Sequence, residues 1–261
     1  MNIKQSIESR EHPFGTWISV GHPTIAEAAA QLDIDFVLLD MEHTTMDLET
    51  IESMVRAVDA APGATDAIVR VPWNDPVRLK RAVDIGMAGV MVPMIDTPEE
   101  ARELVRAIRY PPDGIRGIAG SRATRYGRNF EEYVTTANGS ILTVAQIETE
   151  LGLENAKEIA EVEGIDALFV GPADLSGALG HFAEWDSPEF VDALNAVIEA
   201  GKEADVPVGT LAVNADEIPD RVEQGFDFLI AGKDVSLLMG GINDAVDRYN
   251  ASLENSLTLN D

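Results

Sequence analysis

A closed (β/α)₈ barrel is the fold that the sequence predicts, and three observations predict it. Short apolar runs rich in β-branched residues recur eight times. Longer amphipathic stretches separate them, and continuous apolar strands of this kind belong to a parallel sheet covered on both faces. The 261 residues match the roughly 250 that eight strand–helix units need.

The strands are expected at 14–19, 35–39, 67–71, 89–93, 141–147, 166–170, 206–210 and 227–231. Helical patterns lie near 23–32, 48–59, 76–85, 98–109, 150–161, 188–204, 214–223 and 234–249. An open doubly wound sheet is the structural competitor, but it calls for a GxGxxG loop after the first strand, and FGTWISVGHP lacks that spacing. No linker-like composition shift divides residues 1–261, so one barrel domain is expected. Two interruptions stand out. The stretch 110–133 carries Arg116, Arg122, Arg125 and Arg128. The glycine-rich 171–187 follows the sixth strand. Long connections often serve as lids or binding loops. The arginines suit an anion or a neighbouring subunit, or else simply pair with surface acids.

The composition narrows the function. Forty-six acids against 19 bases give a net charge of −27, and lysine supplies only five of those bases. Such self-repulsion is relieved by concentrated salt, so a salt-rich cytoplasm is expected for the protein; a merely acidic, soluble mesophile protein is the alternative. Nucleic acid and anionic membrane surfaces are excluded as partners by the same charge. There is no cysteine, which removes disulfides, thiol nucleophiles and Cys-ligated zinc. The N-terminus has no apolar signal core and reads as cytoplasmic.

Barrels of this type place their chemistry at the C-terminal strand ends. There the sequence sets Asp40, Glu42 and His43 after strand two, Arg70 in strand three, Gln146 and Glu148 after strand five, and Gly171-Pro172-Ala173-Asp174 after strand six. Glu148 and Asp174 suit a hard divalent cation, which takes carboxylate and water oxygens; the alternative is that both cap helices. His43, one of four histidines, is the candidate acid/base group because imidazole titrates near neutrality. Asp40 or Asp84 would fix its tautomer; a merely packed histidine is the alternative. Arg70 interrupts an apolar strand and needs an anion, either a substrate oxygen or Asp40 or Glu42. Trp17 and Leu211 are candidate pocket walls. Among the lysines only Lys233 falls near the mouth, so imine chemistry is the weaker branch.

These residues carry a resemblance. FGTW (14–17), LLDMEH (38–43), VRVPWNDP (69–76), DIGMAGVMVPM (84–94), RYPPDGIRG (109–117), QIET (146–149), FVGPADLS (169–176) and AGKDVSLL (231–238) together resemble the HpcH/HpaI family of class II pyruvate aldolases. That family is related to citrate lyase β subunits and malyl-CoA lyases. The resemblance implies a barrel of the phosphoenolpyruvate/pyruvate-binding type. It further implies cleavage of a 4-hydroxy-2-oxo acid, such as a 4-hydroxy-2-oxoheptanedioate-like or 2-dehydro-3-deoxy sugar acid, to pyruvate and an aldehyde with Mg²⁺, Mn²⁺ or Co²⁺. Glu148 and Asp174 then resemble the metal ligands, His43 the acid/base and Arg70 the enolate-stabilising group. Asp40 and Asp84 resemble the histidine's carboxylate partners, Asp84 reaching across from a neighbouring subunit. Gln146 and the Gly171–Ala173 backbone resemble contacts to the pyruvate carboxylate. A hexamer whose C-terminal segment, about 234–261, packs on a neighbour is also implied. Two departures, Tyr126 in AGSRATRYGR and Lys233 in AGKD, bear on the second substrate. A citramalyl-CoA or malyl-CoA type lyase and a non-catalytic acid-binding barrel are the rival readings.

Overall fold

The computed structural model describes residues 1–258. Eight parallel strands close on themselves in sequence order: β1 (Phe14–Ile18), β2 (Phe36–Asp40), β3 (Asp66–Arg70), β4 (Gly89–Val92), β5 (Leu142–Ile147), β6 (Ala167–Val170), β7 (Val208–Ala212) and β8 (Phe228–Lys233). All eight expected strands are present, mostly within a residue or two of the predicted bounds. The largest shift is at β7, which starts two residues late. Asp205 ends the preceding helix in the left-handed conformation, and Pro207 has no N–H to give to a ladder.

Twelve helices accompany the strands among the described residues. Preceding the barrel is α1 (Ile3–Glu8), and α2 (Pro23–Ala29), α3 (Leu48–Ala60), α4 (Pro76–Val83) and α5 (Pro98–Ile108) follow the first four strands. Next come α6 (Phe130–Ser140), α7 (Glu150–Glu154), α8 (Ala156–Ala160), α9 (Pro172–Ala178), α10 (Pro188–Ala204), α11 (Ile218–Gln224) and α12 (Asp234–Thr258). Their starts are marked in the sequence. Asp47, Asp75, Thr97 and Ser187 each accept a backbone N–H from the first turn, and proline follows three of them at the first helical position. Three helices were not expected: α1, α6 and α9. The helix foreseen at 150–161 is broken at Asn155, whose side-chain N–H₂ donates to the Asp96 carbonyl at 2.8 Å.

Alternation along the strands makes two cores. Outward-facing side chains such as Val37, Leu39, Val69 and Val90 pack against the helices. Inward-facing Trp17, Phe36, Leu38, Ile68, Val144, Phe169 and Phe228 fill the lumen. Phe36, Phe228, Phe169 and Trp17 form a continuous aromatic chain with centroid spacings of 6.4, 6.0 and 6.2 Å. The N-terminal end of the lumen is sealed by α1. Asn2 and Gln5 form its capping box, Ile3 and Ile7 insert into the aromatic core, the Ile3 N–H donates to Asp66 at 2.7 Å, and Lys4 pairs with Asp166 at 2.9 Å.

The arginine-bearing stretch proves to be no lid on its own barrel. Because α5 runs back to the N-terminal face before the stretch begins, the chain is already at the wrong end. It stays there: Ala123 N–H donates to the Asp84 carbonyl at 3.1 Å and Arg122 donates to the Ile85 carbonyl at 2.7 Å, both in the turn before β4. At the opposite extreme, α12 packs at its base on β1 and β8 and then projects outward. Positions 259–261 of the expected C-terminal segment lie outside the described residues. No helix among the described residues is long and apolar enough to cross a membrane.

Phe228→Ala opens a void in the packed aromatic core of the lumen. Its stability should fall by about 3–5 kcal/mol, read from urea unfolding of the variant and parent. A loss below about 1 kcal/mol would show that the lumen is not a packed core.

Candidate active site

The C-terminal strand ends bring together most of the side chains expected there. Arg70 closes β3 with only 3% of its surface exposed. Its Nε and one terminal nitrogen donate to the two Asp40 oxygens at 2.9 and 2.8 Å, and the other terminal nitrogen lies 2.7 Å from Glu42. Trp17 supports both groups: its indole N–H donates to Asp40 at 3.2 Å, and its ring lies 4.4 Å from the Arg70 guanidinium carbon. Burial pushes the Asp40 carboxyl up, but the hydrogen bonds and charge of Arg70 outweigh it and hold the group below its usual value. The expected pairing of Asp40 with His43 is therefore absent. Arg70 and Trp17 occupy Asp40, and His43, largely exposed, has Glu42 as its neighbour at 3.6 Å.

Glu148 sits just beyond β5, buried to 3% exposure. One oxygen accepts the Met94 backbone N–H at 2.9 Å and the other accepts from the Gln146 side chain. Burial raises its carboxyl to about 7; the Met94 N–H opposes this, Asp174 and Glu42 add to it as like charges, and Arg70 opposes it. Glu42 is raised as well, by burial first, against the pull of Arg70 and His43. Asp174 lies in the exposed first turn of α9. Gly171, between β6 and α9, leaves Glu148 its room. A Cβ there would meet the Glu148 carboxylate and come within 2.7 Å of the Gln146 amide.

The donor set fits a hard divalent cation in one form. Among the described residues no trio of His, Cys, Asp and Glu is arranged to hold a metal. The neighbouring Glu148 and Asp174 carboxylates do suit Mg²⁺-type binding, where substrate and water supply the remaining oxygens. The buried Gln146 carbonyl oxygen also has no hydrogen-bond partner, an acceptor waiting for a ligand donor.

One expected group stands apart in this chain: Asp84 is at the N-terminal face, bound by Arg116 at 2.6 and 3.2 Å. Leu211 is half-buried near the end of β7, facing the lumen beside the aromatic core one residue beyond the Thr210–Val170 pair and so level with Gly171. Of the groups that the sequence did not single out, Met94 matters most. Its positive φ of 55° turns its N–H toward Glu148, and nothing in VPM announces that conformation. Glu42 was foreseen as a possible partner of Arg70, which it is, but not as the neighbour of His43.

The sequence pattern of the HpcH/HpaI aldolase/citrate lyase family matches residues 13–240. The chain belongs to that family. A crystal structure of an HpcH/HpaI aldolase/citrate lyase family protein from Burkholderia cenocepacia superposes with a TM-score of 0.92 at 36% identity, covering 95% of this chain and 98% of that one. The hydroxypyruvate/pyruvate aldolase of Delftia acidovorans is 38% identical over 96% of this chain and 93% of its own length. The 4-hydroxy-2-oxo-heptane-1,7-dioate aldolase of Shigella sonnei is 34% identical over 96% and 95%. This HpcH/HpaI member is accordingly a carbon–carbon lyase, which removes the non-catalytic barrel from the rival readings.

The raised Glu148 carboxyl has a signed consequence. Its folded value, about 7, lies above the ordinary 4.5, so the folded state holds that proton more tightly between those values. In metal-stripped protein this group makes stability fall as pH rises from about 4.5 to about 7 and adds no further slope beyond. A Glu148→Gln variant should lose that fall. Mn²⁺ should raise the wild-type melting temperature more at pH 8 than at pH 5.5 and leave the variant unmoved; equal shifts in both proteins would remove Glu148 as a ligand.

Proposed function

We propose that the protein is a class II pyruvate aldolase that cleaves a 4-hydroxy-2-oxo acid to pyruvate and an aldehyde. The observation that carries this reading is the buried Glu148 beside Asp174, facing an arginine already anchored by two acids. Glu148 and Asp174 would hold the divalent cation, Mg²⁺, Mn²⁺ or Co²⁺, which when bound supplies a Lewis acid for the 2-oxo group. The Gln146 side-chain N–H₂ and the Ala173 backbone N–H, beside Gly171 and Pro172 at the opening of α9, receive the substrate carboxylate. His43 takes the proton from the 4-hydroxyl, with Glu42 beside it to stabilise the imidazolium. The C3–C4 bond breaks, the aldehyde leaves, and the electron pair passes into the C2 oxygen. Arg70, fixed by Asp40, Glu42 and Trp17, points its remaining N–H donors at that developing charge without having to reorganise. Proton return to C3 gives pyruvate. An 4-hydroxy-2-oxoheptanedioate-like acid and a 2-dehydro-3-deoxy sugar acid both suit this chemistry.

A CoA-thioester lyase is less well supported. Arg122, Arg125 and Arg128, the arginines such a lyase could turn to CoA phosphates, line a hollow of about 1090 Å³ with Gly86, Met87, Ser140 and Ile141, at the end of their own barrel away from Glu148, and Arg116 is buried against Asp84.

We further place the protein in a homo-oligomer, the hexamer that its family resemblance implies, in a salt-rich cytoplasm. Exposed Val235, Met239, Ile242, Val246 and Tyr249 recur at alternating spacings of four and three along α12, the seam of a helix that packs on a partner. In one chain that seam faces outward, and 46 acids oppose assembly until salt screens them.

Pyruvate release from 4-hydroxy-2-oxopentanoate should stop on exhaustive chelation and return with Mn²⁺. His43→Ala and Arg70→Ala should each lower kcat by about 10²–10⁴-fold; turnover untouched by chelation and by His43→Ala would sink the reading. For assembly, Ile242→Glu should yield a smaller species than the parent by light scattering in molar KCl. The parent itself should shrink in dilute buffer; a monomer at every salt concentration would refute the seam.

A further inference from the structure

The mouth contains a cation that the proposed chemistry does not use. Lys233 ends β8, exposed, with its Nζ 5.4 Å from the centre of the Trp17 ring. The same ring carries Arg70. Among the described residues Lys233 makes no ion pair, although the chain holds 46 acids. Its immediate neighbour Asp234 is fully engaged elsewhere, accepting from Ser19 N–H and Oγ at 3.0 and 2.6 Å, from Val20 N–H at 2.8 Å and from Val235 N–H at 2.9 Å.

The backbone aims this lysine on purpose. Gly15 pairs with Ile230, but Trp17 pairs with Lys233, so β8 contains one residue more than β1 across the same span. Gly232, at φ 65°, absorbs the extra residue as a bulge. Ile230 faces the lumen. Regular alternation would put residue 232 inward next and residue 233 outward. The bulge reverses that order and sets the lysine over the indole face, while its neighbour Asp234 starts α12.

We propose that Lys233 is a specificity-determining residue that receives a carboxylate on the far end of the aldehyde. Arg70 and Lys233 stand over one indole ring, the first serving the 2-oxo end of the substrate and the second the end that departs. A single exposed ammonium suits a monoanion. A phosphate dianion would face Glu42, Glu148 and Asp174 with only one compensating charge. The inference rests on the aldolase reading and sharpens it to substrates whose aldehyde half is itself an acid.

The test compares two aldehydes of similar reach in aldol addition to pyruvate with Mn²⁺: succinic semialdehyde, which is anionic, and butanal, which is neutral. Lys233→Met should lower kcat/KM for succinic semialdehyde by about 10-fold, the equivalent of 1.4 kcal/mol, and leave butanal within about twofold. Lys233→Arg should restore most of the loss, and rising KCl should erode the wild-type preference. Equal losses for both aldehydes, or pyruvate trapped on Lys233 by borohydride, would overturn the assignment. Turnover of both with no preference in the wild type would also overturn it while leaving the aldolase reading intact. No turnover of any aldehyde would sink that reading and this inference together.

Discussion

A guanidinium shut inside a barrel lumen constrains everything around it. Removing Arg70 and Asp40 from water costs several kcal/mol per ion, which their attraction recovers only in a geometry this complete. Both Asp40 oxygens are taken, the third edge of Arg70 meets Glu42, and Trp17 covers the face. Such a cluster tolerates few rearrangements. Asp40 cannot turn to His43 without stranding a buried charge, which is why the histidine's companion is Glu42 and not the aspartate the motif suggests. The cluster's rigidity is also its use, since a donor that cannot relax stabilises charge as it forms.

Glu148 shows the opposite balance. It is as buried as Arg70 yet forms no ion pair among the described residues, and burial outweighs the pull of Arg70, so its proton is held more tightly than usual. The two buried charges are thus complementary: one is satisfied by the protein, the other is left for something brought from outside. That asymmetry gives the mouth a direction, with Arg70 fixed on one side and an unmet demand for positive charge on the other.

The barrel and its strand ends were legible because their signals are local. Eight apolar runs, capped helices and the strand-end acids are each written in a few adjacent residues. What escaped depended on distant geometry. Helix α1 is short, and its value comes from Ile3 and Ile7 meeting a lumen built by residues far along the chain. The arginine stretch looked like a lid because length alone suggests one; the direction in which α5 delivers it decides otherwise. The orientation of Met94 and the bulge at Gly232 are backbone conformations, and neither leaves a trace in residue type that separates it from an ordinary loop. Lys233 was visible as the lone lysine near the mouth, but its inward aim was not.

With its lumen filled by the aromatic core and its floor closed by α1, the barrel is a shallow cup. A cup has one door, so everything that reacts inside it queues. In the proposed reaction the fragment gripped near Gln146 and Glu148 lies beneath the one held toward Lys233, and the upper fragment must clear the opening before the lower can follow. On that reading the closed floor implies an order of departure, aldehyde first and pyruvate last, and in synthesis the same order reversed.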